Sequence, residues 1–156
     1  MEELAQAVNH IKQTSGRNDK LALLSKYENL PGFKRMMYFI YNPYIRTGIA
    51  KKKLMNGKHD ECPEQITVND AIDYFIENQT GTDASVHFAW SFINCQETNE
   101  AKELAINMVT KALKIGVSDK SLNKVYGDDF IPRIGCMLGV PYNDYKDKVK
   151  GPFIVT

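Results

Sequence analysis

The 156 residues are enough for one domain of ordinary size, and a chain of this length buries roughly 70% of its unfolded surface. With 43% hydrophobic and 25% charged residues, the composition is that of a globular protein and excludes a largely disordered chain. There is no apolar run of about 18 residues, which excludes a membrane-spanning helix, and the acidic, amphipathic N-terminal segment does not resemble a secretory signal.

The net charge of +1 conceals a strong segregation of charge along the chain. Residues 1–60 carry eleven Lys/Arg and five Asp/Glu, a balance of +6. Residues 61–100 carry eight acids and no Lys or Arg, and residues 101–156 carry nine bases and six acids, for −8 and +3. Such asymmetry suits a polyanion docking on one face, and an unevenly charged but merely solvated surface is the alternative.

Helical spacing of apolar residues runs through the first hundred positions. This spacing predicts helices within four stretches: 2–13, 21–27, 33–40 and 83–95. Thr67 and Asp70 together predict the N-cap of another helix, since both side chains can accept hydrogen bonds from unpaired amides there. Residues 83–95 are apolar on more than one side, which indicates a central, buried helix.

The clearest predicted helix covers residues 99–115, where apolar residues keep helical spacing for three turns. Lys111 and Lys114 fall in its last turns, where cations meet the negative end of the helix dipole. Gly116 supplies the C-terminal stop, and Ser118 is then the N-cap of a further short helix.

Beyond Gly127 the helical pattern is lost. Residues 127–152 contain three prolines and several glycines, and the closing Phe153–Thr156 run has the composition of a strand without a partner. We therefore predict an all-α fold, a compact multi-helix domain over residues 1–130. Because residues 153–156 end inside an apparent strand, we expect a chain that is cut rather than finished.

The cysteines and histidines give no sign of a metal or catalytic centre. The three cysteines (Cys62, Cys95 and Cys136) are odd in number and lack CxxC spacing, which predicts reduced thiols in a cytoplasmic protein. Residues 59–62, His-Asp-Glu-Cys, are metal-binding types, but consecutive side chains cannot all face one ion, so we interpret them as a polar loop. His87 lies within an apolar helix and is interpreted as a core histidine.

The sequence also lacks the common nucleotide-binding and catalytic motifs GxxxxGK[ST], GxGxxG, HExxH and GxSxG. We therefore expect no catalytic residue and no metal site.

Two segments combine features that suit a polyanion. The first, residues 41–53, joins aromatic residues, a Pro/Gly turn and four bases within eight positions. The second, residues 111–124, passes from a glycine directly into a helix N-terminus flanked by lysines. Free amides and the positive end of the helix dipole make such a terminus favourable for a phosphate.

The sequence around the second segment resembles a known family. Residues 108–125 resemble the signature of the helical DNA-binding domain of ATP-dependent DNA ligases: a basic, apolar helix end, a glycine, then a short Ser/Lys-bearing helix. Residues 41–52, YNPYIRTGIAKK, resemble the turn after the early helices of phage-type members. Residues 129–132 with 135–138 resemble the passage between domains, and residues 150–156 resemble the strand that leads to the KxDG motif. The resemblance therefore implies that residues 131–156 are an interdomain linker and the first strand of a further domain that this chain lacks. The resemblance covers essentially the whole chain.

The chain departs from the family in one respect. No KxDG occurs, so the lysine that would carry AMP is absent and we expect this chain to be inactive alone. The resemblance implies that ATP and Mg²⁺ serve the catalytic domains of the parent ligase, and it implies no cofactor for this domain.

The resemblance implies a domain that binds nicked double-stranded DNA through the minor groove and the phosphates, without reading sequence. The expected DNA-binding residues come from the two basic segments: Arg46, Thr47, Lys51, Lys52, Lys53, Lys114, Gly116, Ser118, Lys120, Ser121 and Lys124. We expect a monomer with no membrane partner, in the cytoplasm of a bacterial or phage-infected cell. The alternative is a helical protein-interaction module that uses the acidic 61–100 face.

Overall fold

The computed structural model describes residues 1–62 and 65–132, and within these ranges it contains eight α-helices and no strand. The helices are α1 (Glu2–Gln13), α2 (Arg17–Lys26), α3 (Phe33–Tyr41), α4 (Lys51–Asn56), α5 (Val68–Glu77), α6 (Asp83–Asn94), α7 (Asn99–Val109) and α8 (Asp119–Tyr126). The prediction of an all-α fold is confirmed for this part of the chain. The predicted linker and strand beyond Pro132 lie outside the described residues. None of the described helices combines the length and apolar character needed to cross a bilayer.

Helix α7 lies at the centre of the fold and packs against α1, α3 and α6. Helices α4 and α5 also contact α6, α3 contacts α5, and α2 joins α1 to α8 at one side. The core between them is rich in fully buried aromatic and sulfur side chains: Phe33, Phe39, Phe75, Phe92, Met36, Met37 and Met108. The contact of α2 with α8 brings together segments about a hundred residues apart in the sequence.

Side-chain caps fix where several helices begin. Thr67 and Asp70 form a reciprocal capping box at the start of α5, as predicted, and the hydrogen bonds from Thr67 hold the pKa of Asp70 below its ordinary value. The Ser118 side chain caps α8 by accepting from the Ser121 amide, which confirms the predicted N-cap. The local sequence alone is sufficient to place these starts.

The end of α7 differs from the prediction. The helix stops at Val109, six residues before the predicted end at residue 115. Lys111 adopts a left-handed backbone, with φ of 52°, and its ammonium group donates hydrogen bonds to the carbonyls of Asn42 and Ile45. We attribute the early end of α7 to this tertiary contact, in which the Lys111 side chain binds the loop that follows α3. Gly116 is left-handed, with φ of 68°, but it lies in the connection and not at the end of α7.

Two glycines allow the loops before α4 and α6 to touch backbone to backbone. A Cβ on Gly81 would lie 2.0 Å from the carbonyl oxygen of Gly48, and one on Gly48 would lie 2.4 Å from the Gly81 nitrogen. Gly48 also has a φ of 66°, which favours glycine. Neither loop can carry a side chain at this contact without moving.

The cysteine prediction is wrong for two of the three cysteines. Cys62 and Cys95 form a disulfide, with their Cα atoms 5.6 Å apart and a sequence separation of 33. The loop that follows α4 folds back over α6 and brings Cys62 to the C-terminal end of that helix, a contact that residue spacing does not reveal. The argument from reduced thiols to a cytoplasmic location loses its basis, and Cys136 lies outside the described residues.

Candidate nucleic-acid interface

Four of the five predicted site residues of the first basic segment lie on the surface. Arg46 is exposed in the loop before α4, and the three lysines Lys51, Lys52 and Lys53 are exposed in the first turn of that helix. Thr47 is buried, and its hydroxyl donates to the carbonyl oxygen of Val109 at 2.7 Å. Thr47 therefore fastens this loop to the end of α7, and its side chain does not face solvent.

The second basic segment surrounds the start of α8. Lys114, Gly116, Ser118, Lys120 and Lys124 are all exposed, whereas Ser121 is buried. The Ser121 amide donates to the Ser118 side chain at 3.3 Å, so this amide is not free to bind an anion. The Ser118 cap takes one of the donors that would otherwise be open to an anion.

The structure adds a second helix N-terminus that sequence reasoning missed. A cleft of about 470 Å³ lies where the starts of α2 and α8 meet. Its lining comes from both termini: Ser15, Arg17, Lys20, Gly116, Val117, Ser118 and Ser121. The Lys20 ammonium donates to the Ile115 carbonyl at 2.6 Å and so joins the two termini across 95 positions of sequence. The sequence offers one local sign of this site, two bases (Arg17 and Lys20) in a single helical turn. It gives no indication that this turn lies next to Gly116 in the fold.

The electrostatics of this region favour an anion. Each helix N-terminus carries a partial positive charge of about half an elementary charge. The cations of residues 15–20 and 114–124 are Arg17, Lys20, Lys114, Lys120 and Lys124, against the carboxylates Asp19 and Asp119. Five cations and two carboxylates give a local balance of +3. We call this region, the cleft with the lysines that flank it, the α2/α8 basic cleft.

Lys111 connects the two basic segments physically. Its ammonium binds the carbonyls of Asn42 and Ile45, directly before Arg46, and its backbone leads within a few residues to Lys114. Burial lowers the pKa of Lys111 to about 8, while the two carbonyls favour the charged form. Lys111 therefore stabilises the fold, whereas the exposed bases Arg46 and Lys114 on either side of it are accessible to a ligand.

The acidic segment is partly neutralised in space. Asp73 forms an ion pair with Arg35, and Oδ1 of Asp83 lies 3.6 Å from Nζ of Lys53. Bases of residues 1–60 therefore offset part of the negative charge of residues 61–100. The segregation seen along the sequence is therefore smaller on the folded surface. This weakens the alternative that residues 61–100 present an acidic docking face.

His87 is exposed, so its interpretation as a core histidine is wrong. Helix α6 buries the neighbouring Val86 and Ala89 and turns His87 outward, toward the loop that follows α4. There its ring stacks on the ring of His59, with the ring centroids 4.1 Å apart.

His59, Glu61 and His87 form a cluster of metal-binding side chains, the one such group among the described residues. One ligand atom from each lies within 4.8 Å of the others. Sequence reasoning missed it because His87 lies 28 positions from His59.

Comparison with protein-family models and with curated proteins gives no match to this chain.

Proposed function

We propose that this domain binds nicked duplex DNA without sequence preference, as the N-terminal DNA-binding domain of an ATP-dependent DNA ligase. The observation that carries the proposal is the α2/α8 basic cleft, in which two helix N-termini and the side chains of Arg17 and Lys20 meet. One side of the cleft, residues 116–121, belongs to the 108–125 segment that resembles the signature of the ligase DNA-binding domain.

The chemistry of the cleft matches a phosphodiester backbone. Helix N-termini offer backbone amides and a favourable dipole to phosphates, and lysine and arginine add charge-assisted hydrogen bonds. Such contacts fix position and orientation but carry no sequence information. A ligase must join ends of any sequence, so backbone contacts suit the task.

The wider proposal follows the family. ATP and Mg²⁺ would act in the catalytic domains of the parent ligase, which activate the 5′-phosphate and seal the nick. This domain would hold the duplex as a monomer. Incubation of this chain with labelled ATP and Mg²⁺ should give no covalent adenylate, because it has no KxDG lysine.

Fluorescence anisotropy with a labelled nicked duplex tests the binding proposal. Two duplexes of unrelated sequence should bind with the same affinity. The logarithm of the binding constant should fall linearly with the logarithm of salt concentration, with a slope of about −3.6 to −4.5 for four or five phosphate contacts.

Single substitutions place the contact. Arg17→Ala and Lys120→Ala should each weaken binding to all sequences and reduce the slope by about 1. Lys26→Ala is the matched control, because Lys26 is exposed on the same helix as Arg17 but about 14 Å away along its axis. Replacing Lys51, Lys52 and Lys53 together tests whether the first basic segment adds to the same surface.

Two results would count against the proposal. Binding that is unaffected by both Arg17→Ala and Lys120→Ala would exclude the α2/α8 basic cleft. Absence of duplex binding at low salt, with salt-insensitive binding to a protein partner, would favour the interaction module instead.

A further inference from the structure

The loop that follows α4 brings two histidines and a glutamate together over α6. Glu61 lies with its Oε2 atom 3.4 Å from Nε2 of His87, and the His59 ring stacks on the His87 ring. This cluster belongs to a different part of the surface from the α2/α8 basic cleft, since none of its residues lines that cleft.

The hydrogen bonds of His59 fix its tautomer. Nε2 lies 3.0 Å from the carbonyl oxygen of His87, which can only accept, and Nδ1 lies 3.1 Å from the Glu61 amide, which can only donate. The ring is therefore neutral, with its proton on Nε2 and its lone pair on Nδ1. Histidines that bind metals characteristically donate their other ring N–H to a carbonyl or carboxylate, as His59 does here.

The loop that carries His59 and Glu61 is held firmly in place. The Asn94 side chain donates to the carbonyl oxygens of His59 at 2.7 Å and Glu61 at 3.2 Å. The Cys62–Cys95 disulfide then ties the next residue to the end of α6. The backbone positions of all three cluster residues are thus fixed relative to one helix, which reduces the ordering cost of binding an ion.

We propose that His59, Glu61 and His87 form a binding site for a divalent transition-metal ion, with Zn²⁺ as the best match. Two imidazoles and one carboxylate are a ligand set that zinc uses when water completes its coordination. Imidazole donors favour such ions over Mg²⁺ and Ca²⁺, which prefer oxygen.

The adjustment needed for binding is confined to side chains. Ligand atoms around tetrahedral zinc lie about 3.4 Å apart. The present ligand atoms lie within 4.8 Å of one another, so the widest separation must shorten by about 1.4 Å. The two stacked rings must also turn until their lone pairs converge, and the Nδ1 atom of His59 must exchange the Glu61 amide for the ion. The side chains of Glu61 and His87 are 73% and 56% exposed, so both have room to move.

Calorimetric titration of the whole chain with Zn²⁺, under non-reducing conditions, tests the site. The wild-type protein should bind one ion, and His87→Ala and Glu61→Gln should each weaken the affinity at least about 10-fold, as loss of even an outer partner of a metal ligand does. Both residues are exposed, so these variants should keep the fold. His10→Ala is the control, because the sequence has three histidines and His10 bonds Tyr27 elsewhere on the surface.

A second measurement identifies the atoms involved. Nitrogen NMR of the histidine rings should show Zn²⁺ shifting one nitrogen each of His59 and His87 and leaving His10 unchanged. Three results would overturn the proposal: no binding tighter than about 1 mM, affinities unchanged in His87→Ala and Glu61→Gln, or binding that requires reductant. The last would assign the ion to freed cysteine thiolates.

Discussion

Lys111→Met is the substitution that best tests how the loop that follows α3, residues 42–47, is held in place. The ammonium group of Lys111 donates to the carbonyls of Asn42 and Ile45 and lies 5.8 Å from the centre of the Phe39 ring. Methionine keeps an unbranched stem that can pack on Phe39 but offers no donor. The two carbonyls would then lose their hydrogen-bond partner.

The expected magnitude comes from two opposing effects. A hydrogen bond from a charged group contributes about 1.5–3 kcal/mol, so two contribute about 3–6 kcal/mol. Against them stands the cost of burying the ammonium, which lowers the pKa of Lys111 from 10.5 to about 8. That lowering corresponds to about 3 kcal/mol in full, which we halve to about 1.5 because water screens a half-buried group. The net loss in the free energy of unfolding should be about 2–4 kcal/mol.

Urea unfolding at pH 7, followed by circular dichroism, measures this loss. Lys114→Met is the control, because Lys114 is exposed three residues further on and its loss should change the free energy by less than about 0.5 kcal/mol. If Lys111→Met were as stable as this control, the two carbonyls would not depend on the ammonium, and our explanation for the early end of α7 would fail.

Three further predictions concern stability. Between pH 8 and 10 the unfolded chain keeps a proton that folded Lys111 has released, so the free energy of unfolding should rise with pH, and this rise should be absent in Lys111→Met. Gly81→Ala places a Cβ 2.0 Å from the carbonyl oxygen of Gly48 and should cost about 1–3 kcal/mol in urea unfolding; wild-type stability would mean that the loops separate freely. Reduction of the Cys62–Cys95 disulfide should lower the free energy of unfolding by about 2–4 kcal/mol, with no effect of reductant on the double serine variant. An equal effect of reductant on that variant would contradict the assignment.

The features that sequence predicted correctly are local. The capping residues Thr67 and Ser118 act within three positions of themselves, and the apolar stripes of α1 and α7 follow from helical spacing. Each of these signals is contained in one or two turns, so no knowledge of the rest of the fold is required.

The features that sequence missed depend on contacts between distant segments. Lys111 ends α7 early by binding a loop 66 positions away, and Lys20 reaches Ile115 across 95 positions. The exposure of His87 and its meeting with His59 depend likewise on how one loop crosses α6. The apolar neighbours of His87 within α6 predicted that it is buried. Apolar spacing along one helix does not show which other segments pack against that helix, so it could not reveal that His87 faces outward.

The Cys62–Cys95 bond closes a covalent ring that contains α5 and α6. When the molecule is pulled by its two ends, force passes through the sulfur atoms and bypasses the chain between them. The ring excludes 33 residue steps, or about 110 Å of extended chain, from the stretched length. The end-to-end extension on forced unfolding is therefore shorter by about 110 Å in the oxidised protein than after a reductant opens the ring. His59 and Glu61 bear this load directly, whereas His87 lies inside the ring and is shielded from it.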